Sequence, residues 1–168
     1  MVVDADRPTL YLDFDGTLHA GSALIDEAGR ISLDSGRELF EYAPLLAKRV
    51  ESYPDVQIVL TTEWLRTLGR DGAASYLPES LRARVVGDTL AVSRRLSEIR
   101  NGSERTSIIL RHAWRQSVKA WLALDDAAWG VPAEFEHHFV HLDPTKGIGA
   151  EDALARIDSW LRGQTRAA

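Results

Sequence analysis

A chain of 168 residues, 45% of them hydrophobic, suits one domain spanning 1–168 with a sizeable core. Its 25 acidic residues outnumber the 20 basic ones, and the formal net charge of −5 does not suggest a general polyanion binder, although a local basic patch remains compatible with it. Cysteine is absent, which excludes disulfides, thiolate metal sites and cysteine nucleophiles. No apolar run approaches the roughly 20 residues that span a bilayer, and the N-terminus lacks a charged-then-apolar secretory pattern. A soluble cytoplasmic protein with no membrane partner is the expectation.

The first predicted element is "TLYLD", residues 9–13, a short buried strand bounded by Pro8 and a turn at Gly16. It ends on Asp13, with Asp15, Gly16 and Thr17 close behind. Residues 20–43 fit the strand–helix pattern poorly, and "ALIDEAGRISL" within them reads as a hairpin turning at Glu27–Gly29. A helix follows from Pro44, a favoured first-turn position, to about Tyr53, with Leu45, Leu46 and Val50 apolar. Residues 56–61, "VQIVLT", form the second strand, and Thr62 after it reads first as a helix N-cap. A weaker strand, "RVVG" at 84–87, has only Val85 and Val86 to bury, and Asp88 beyond it reads as a turn residue. The stretch "RNGSERTS", 100–107, is a loop by composition, followed by a helix from about Thr106 to Arg115. Two more strands are predicted, "AWLAL" at 120–124, which runs into Asp125 and Asp126, and "FVHL" at 139–142. The last helix runs from about Ala150 to Arg162, with Leu154, Ile157 and Leu161 on one face and Gly163 as its stop.

Strands that alternate with helices imply a parallel α/β sheet, and continuous apolar strands imply helices on both of its faces. The expected fold is a Rossmann-like three-layer sandwich with a mainly parallel central sheet of about five strands. Ligands of such sheets bind outside the carboxyl ends of the strands. That edge should collect Asp13, Asp15, Thr61, Thr62, Asp125 and Asp126. Four carboxylates in one place repel unless a cation sits among them, and oxygen ligands of this kind suit Mg²⁺. A phosphoryl group accounts for the remaining features, since its oxygens need hydroxyl and backbone N–H donors at close range.

"DFDGTL" at 13–18 resembles the first motif of the haloacid dehalogenase-like (HAD) phosphotransferases. The strand ending in Thr61 resembles their second motif, and "WLALDD" at 121–126 their fourth. The third, a lysine or arginine near the start of the preceding helix, corresponds to Arg105, with Arg94, Arg95 and Lys119 as alternatives. These elements occur in the family's order over residues 10–126. Within the family, "TTEW" at 61–64 and "HLDPTKGIGAEDALARI" are similar to the small HAD domain of bacterial RNA-repair proteins. The resemblance implies a phosphomonoesterase. Asp13 would be the nucleophile, forming an aspartyl phosphate. Asp15 would be acid and then base, its pKa raised by the carboxylates around it. Gly16 would permit the turn, Thr61 would bind a phosphoryl oxygen, and Arg105 would offset the transferred charge. Gly16, Thr17 and Thr62 would contact the substrate. Mg²⁺ would be held by Asp13, Asp125, the Asp15 carbonyl and Asp126 through water. Two alternatives stay open: a slow regulatory domain that senses a phosphorylated partner, and phosphotransfer to an acceptor other than water.

Many relatives insert a cap domain after the first motif or between the second and third. Too few residues lie between Leu18 and Val56, or between Thr62 and Arg105, for one here. The expectation is a capless enzyme roofed at most by a hairpin within 20–36. An open site can accept the end of a larger molecule. The RNA-repair resemblance points to a nucleic-acid end touched by Trp64 or Arg66, while the acidic net charge points the other way. Trp64, just after a buried strand, reads first as core. His137, His138 and His141 could bind a transition metal, but a strand splits them between faces, so they read as solvent-facing or satisfied. His19 and the 20–43 segment either overhang the site or form a surface hairpin.

Overall fold

The computed structural model describes residues 2–164. The chain forms strand β1 (Thr9–Leu12), a hairpin of β2 (Ala23–Ile25) and β3 (Ile31–Leu33), helix α1 (Ala43–Val50) and strand β4 (Gln57–Leu60). Helices α2 (Trp64–Ala74) and α3 (Glu79–Arg82) lead to β5 (Val85–Asp88), and α4 (Leu96–Asn101) and α5 (Glu104–Arg115) lead to β6 (Trp121–Asp125). The chain ends with β7 (Phe139–His141) and α6 (Glu151–Gln164). Five strands make one sheet in the order β5-β4-β1-β6-β7, and all neighbours run parallel. Every residue of β1, β4 and β6 is buried, as strands covered on both faces require.

Side chains alternate across the sheet and feed two cores. Leu10 and Leu12 join Ile58, Leu60 and Leu124 on one face, where α1 supplies Leu46 and Val50 and α6 supplies Ile157 and Leu161. Tyr11, Val59 and Ala123 turn the other way and meet Ile109 and Ala113 of α5. Helix α1 starts where Pro44 loses no hydrogen bond, and Lys48 and Arg49 in its last turn favour the negative end of its dipole. Leu12 is fully buried at the centre, and Leu12→Ala should cost about 2–5 kcal/mol.

The route of the chain places the site. From β1 it moves outward through β4 to β5, then crosses back to β6 and β7 on the other side. This reversal opens a crevice at the carboxyl end of β1, between β4 and β6. Only the β2–β3 hairpin is inserted between β1 and α1, and only α2 and α3 between β4 and β5, so the described residues contain no cap domain. One segment departs from expectation. Residues 100–107 are mostly helical, because the turn-forming residues are concentrated at Asn101–Ser103. Asn101 Oδ1 accepts from the Ser103 N–H and hydroxyl, and α5 begins at Glu104, two residues before Thr106. No helix among the described residues is long and apolar enough to cross a membrane.

Candidate active site

The end of β1 is held from both sides. The Asp13 N–H donates to the Leu124 carbonyl at 3.1 Å, and the Thr61 N–H donates to the Leu12 carbonyl at 2.9 Å. The backbone then closes a tight turn in which the Thr17 and Leu18 N–H groups both donate to the Phe14 carbonyl. Gly16 makes that turn with φ 63°, and a Cβ there would lie 2.2 Å from Asp126 Oδ2. Only glycine combines this backbone with so close a carboxylate. Gly147 plays the matching part beneath the loop, since a Cβ on it would lie 2.4 Å from the Thr17 carbonyl, which accepts the Ile148 N–H at 3.0 Å.

Asp13, Asp125 and Asp126 converge, with one oxygen from each lying within 4.8 Å of the others. Asp13 and Asp125 are almost wholly buried. Burial pushes all three carboxyls up, Asp126 to about 7, and mutual repulsion adds to the rise at Asp125 and Asp126. Arg105 is the cation that reaches them, 3.5 Å from Asp125 and 3.9 Å from Asp13, with Glu63 at 3.6 Å. Burial opposes its charge, but Asp13, Asp125, Glu63 and Asp126 outweigh that and keep the guanidinium protonated.

The other basic candidates are engaged elsewhere. Arg94 pairs with Glu104, Arg95 lies 3.9 Å from Glu98, and Lys119 pairs with exposed Asp6. Asp88 ends β5 outside the acidic cluster and accepts the Leu90 N–H, as a turn residue does.

One guanidinium faces three carboxylates, and a bound cation would relieve the repulsion that remains. Asp125 Oδ2 is buried and accepts no hydrogen bond, facing the Arg105 guanidinium at 3.5 Å, which leaves it capacity for a ligand. The donor set, all carboxylate oxygen, fits Mg²⁺. Thr61 and Thr17 also bury hydroxyls without a partner. Thr61, with Thr62 and Arg105, lines a cleft of about 230 Å³, so its hydroxyl is available to an oxyanion. Thr62 Oγ1 accepts the Trp64 N–H at 3.3 Å, but the N-cap of α2 is Glu63, so Thr62 stands one residue before the capping position expected for it.

Asp15 is not one of the three clustered carboxylates, and donors of its own hold it, which corrects the expected rise in its pKa. Burial alone would raise it. Donation from His19 Nε2 (3.0 Å), the Ala23 N–H (3.0 Å) and Trp64 Nε1 (2.8 Å) outweighs burial, so the carboxyl sits below its ordinary value. The Trp64 ring is therefore buried against Asp15 and is not available to stack on a nucleobase. Arg66 pairs with Glu63 on the wall of the 230 Å³ cleft, whose rim carries Trp129, 64% exposed. A second groove, about 160 Å³, runs beside Asp15 between Leu24 and Ile25 of the hairpin and Leu68 of α2. The hairpin thus overhangs the site, as one of the two sequence readings has it.

The histidines near β7 lie outside the acidic cluster, although His141 ends β7 in register with Asp125. His138 Nδ1 donates to the Trp121 carbonyl at 2.9 Å and its ring stacks on the Trp121 ring, and His141 pairs with exposed Glu136. His19 is the histidine that matters here; the sequence offers it as overhanging the site or as part of a surface hairpin, and the structure joins it to Asp15. Its signal was local, since four residues separate it from Asp15 and a helical turn joins such positions. Trp64 had no such signal, lying 49 residues from Asp15.

The sequence profile described as "HAD domain in Swiss Army Knife RNA repair proteins" matches residues 9–153. No curated protein and no solved structure matches the chain.

Proposed function

The chain belongs to the HAD domains of Swiss Army Knife RNA repair proteins, and from that premise we propose that it is a magnesium-dependent phosphomonoesterase acting through an aspartyl phosphate on Asp13. The observation that carries the reading is the convergence of Asp13, Asp125, Asp126 and Arg105 beside the unpartnered Thr61 hydroxyl. Asp13, Asp125 and the Asp15 carbonyl, with Asp126 through water, would hold Mg²⁺, which would neutralise and orient the phosphoryl oxygens.

The residues divide the work as follows. A carboxylate oxygen of Asp13 attacks phosphorus, and the bond from phosphorus to the leaving oxygen breaks. Asp15 gives its proton to that oxygen. Water then attacks phosphorus, its proton passes to Asp15, and the bond to Asp13 breaks to release inorganic phosphate. Thr61 donates to a phosphoryl oxygen, and Arg105 offsets the transferred charge. Asp15 begins as a carboxylate, since three donors favour that form. A phosphoryl dianion brought beside it raises its proton affinity, so Asp15 takes a proton from solvent as the substrate binds, and that is the proton it gives to the leaving oxygen.

The substrate we propose is the phosphorylated end of an RNA. The open edge without a cap domain supports it, as do Arg66 and exposed Trp129 beside the phosphate position. The net charge of −5 implies few backbone phosphate contacts, so recognition rests on the terminal nucleotide. The test is inorganic phosphate release with Mg²⁺ from wild type and Asp13→Asn. Release should require Mg²⁺ and vanish in the variant, and near-normal release by Asp13→Asn would overturn the assignment.

A further inference from the structure

We propose that His19 and Trp64 are positioning residues for Asp15, filling its Oδ1 so that Oδ2 is the oxygen that meets the leaving group. The inference rests on the reading of Asp15 as acid and base. Oδ1 accepts from two rings, His19 Nε2 at 3.0 Å and Trp64 Nε1 at 2.8 Å, while Oδ2 accepts only the Ala23 N–H at 3.0 Å. A carboxylate oxygen offers about two lone-pair sites, so Oδ1 is full and Oδ2 has capacity left. The groove beside Asp15, lined by Ala23, Leu24 and Ile25, gives a leaving group room to approach.

His19 is built for this and for no other proton task. Its Nδ1 accepts the Phe40 N–H at 3.3 Å, so the ring proton lies on Nε2 and the imidazole is a neutral donor. The ring is wholly buried, and its Nε2 meets solvent only by way of Asp15. Phe40 delivers its N–H from a left-handed backbone, φ 58°, which costs about 1–2 kcal/mol in a residue with a side chain. Edge contacts of its ring with Phe14, His19 and Trp64 sustain that conformation. The strain is understandable if the purpose is to orient a donor.

Two measurements test the proposal. Nitrogen-15 NMR of the metal-free full chain should show His19 with its proton on Nε2, and Asp15→Asn should shift both that signal and the Trp64 indole N–H. If neither moves, the clamp is absent. Kinetics with Mg²⁺ should then compare an alkyl phosphate, whose leaving oxygen needs a proton, with 4-nitrophenyl phosphate, whose leaving oxygen needs little help. His19→Phe and Trp64→Phe should each lower kcat/KM for the alkyl ester on the order of 10²-fold and for the nitrophenyl ester less than about tenfold. His19→Gln, which keeps an N–H donor, should recover part of the loss. Equal losses on both esters with no recovery would overturn the role. If His19→Phe does not fold, Trp64→Phe carries the comparison. Wild type inert on both esters would remove the phosphohydrolase reading, while the NMR result would still judge the clamp.

Discussion

Chelating the divalent metal should destabilise the protein far more at pH 8 than at pH 5. Burial pushes the Asp126 carboxyl from 3.8 up to about 7, with the Asp13 charge adding to it, and Asp13 and Asp125 move in the same direction. A carboxyl whose folded pKa lies above its unfolded value binds protons more tightly when folded. The stability these carboxyls contribute without metal is therefore greatest below the unfolded value near 4 and falls as the pH rises through about 7. For Asp126, the span from 3.8 to about 7 at about 1.4 kcal/mol per pH unit gives on the order of 4 kcal/mol. Its side chain keeps some contact with water, and screening reduces that to about 2 kcal/mol. A bound divalent cation removes the repulsion, so the loss should vanish in excess Mg²⁺. For a domain of this size, about 2 kcal/mol corresponds to about 4–8 °C in Tm. Thermal unfolding in EDTA and in Mg²⁺, stepped from pH 5 to 8, reads the difference between the two curves, in which titrations elsewhere in the chain cancel. The gap should widen with pH, and Asp126→Asn should flatten the EDTA curve. A gap independent of pH would refute the reasoning.

Gly16→Ala places a Cβ 2.2 Å from Asp126 Oδ2 on a backbone with φ 63°, so it should cost about 1–2 kcal/mol of stability and weaken Mg²⁺ binding; denaturant melts and metal titration with unchanged values would contradict the packing described. Arg105→Ala should lower kcat/KM about 10²–10³-fold, whereas Lys119→Ala should leave it unchanged because Lys119 pairs with exposed Asp6. Asp125→Ala should abolish measurable Mg²⁺ binding and Asp88→Ala should not, and calorimetric titration of each distinguishes the two aspartates. For the proposed RNA end, Trp129→Ala should lower kcat/KM for an end-phosphorylated oligonucleotide and spare a small phosphomonoester; equal effects would remove Trp129 from nucleotide contact.

Features that depend on neighbouring residues were legible in the chain itself. The apolar runs at 9–13 and 120–124 specify buried strands because every residue in them must leave water. Asp13, Thr61 and Asp125 follow such runs, and a parallel sheet brings strand ends to one edge. Asp-Gly and the residues after it carry their own turn, so the Gly16 bend was also local. The missing cap could be read from chain length alone. Where the reading failed locally, at 100–107, three turn-forming residues were taken to set the character of eight, although the residues beside them are free to continue two helices.

Which arginine reaches the acids was a different matter. Arg94, Arg95 and Arg105 are equally basic in the chain, and the choice depends on where α5 begins and on which carboxylates already engage the others. The state of Asp15 was further still from local information. Two of its partners, His19 and Ala23, stand close in sequence, but the third lies 49 residues away on α2, and a pairing at that separation exists only once β1 and β4 lie side by side. Proximity to other acids in the sequence suggested a raised pKa. The folded chain lowers it, because a pKa answers to the donors and charges within a few ångströms, and those are assembled by packing.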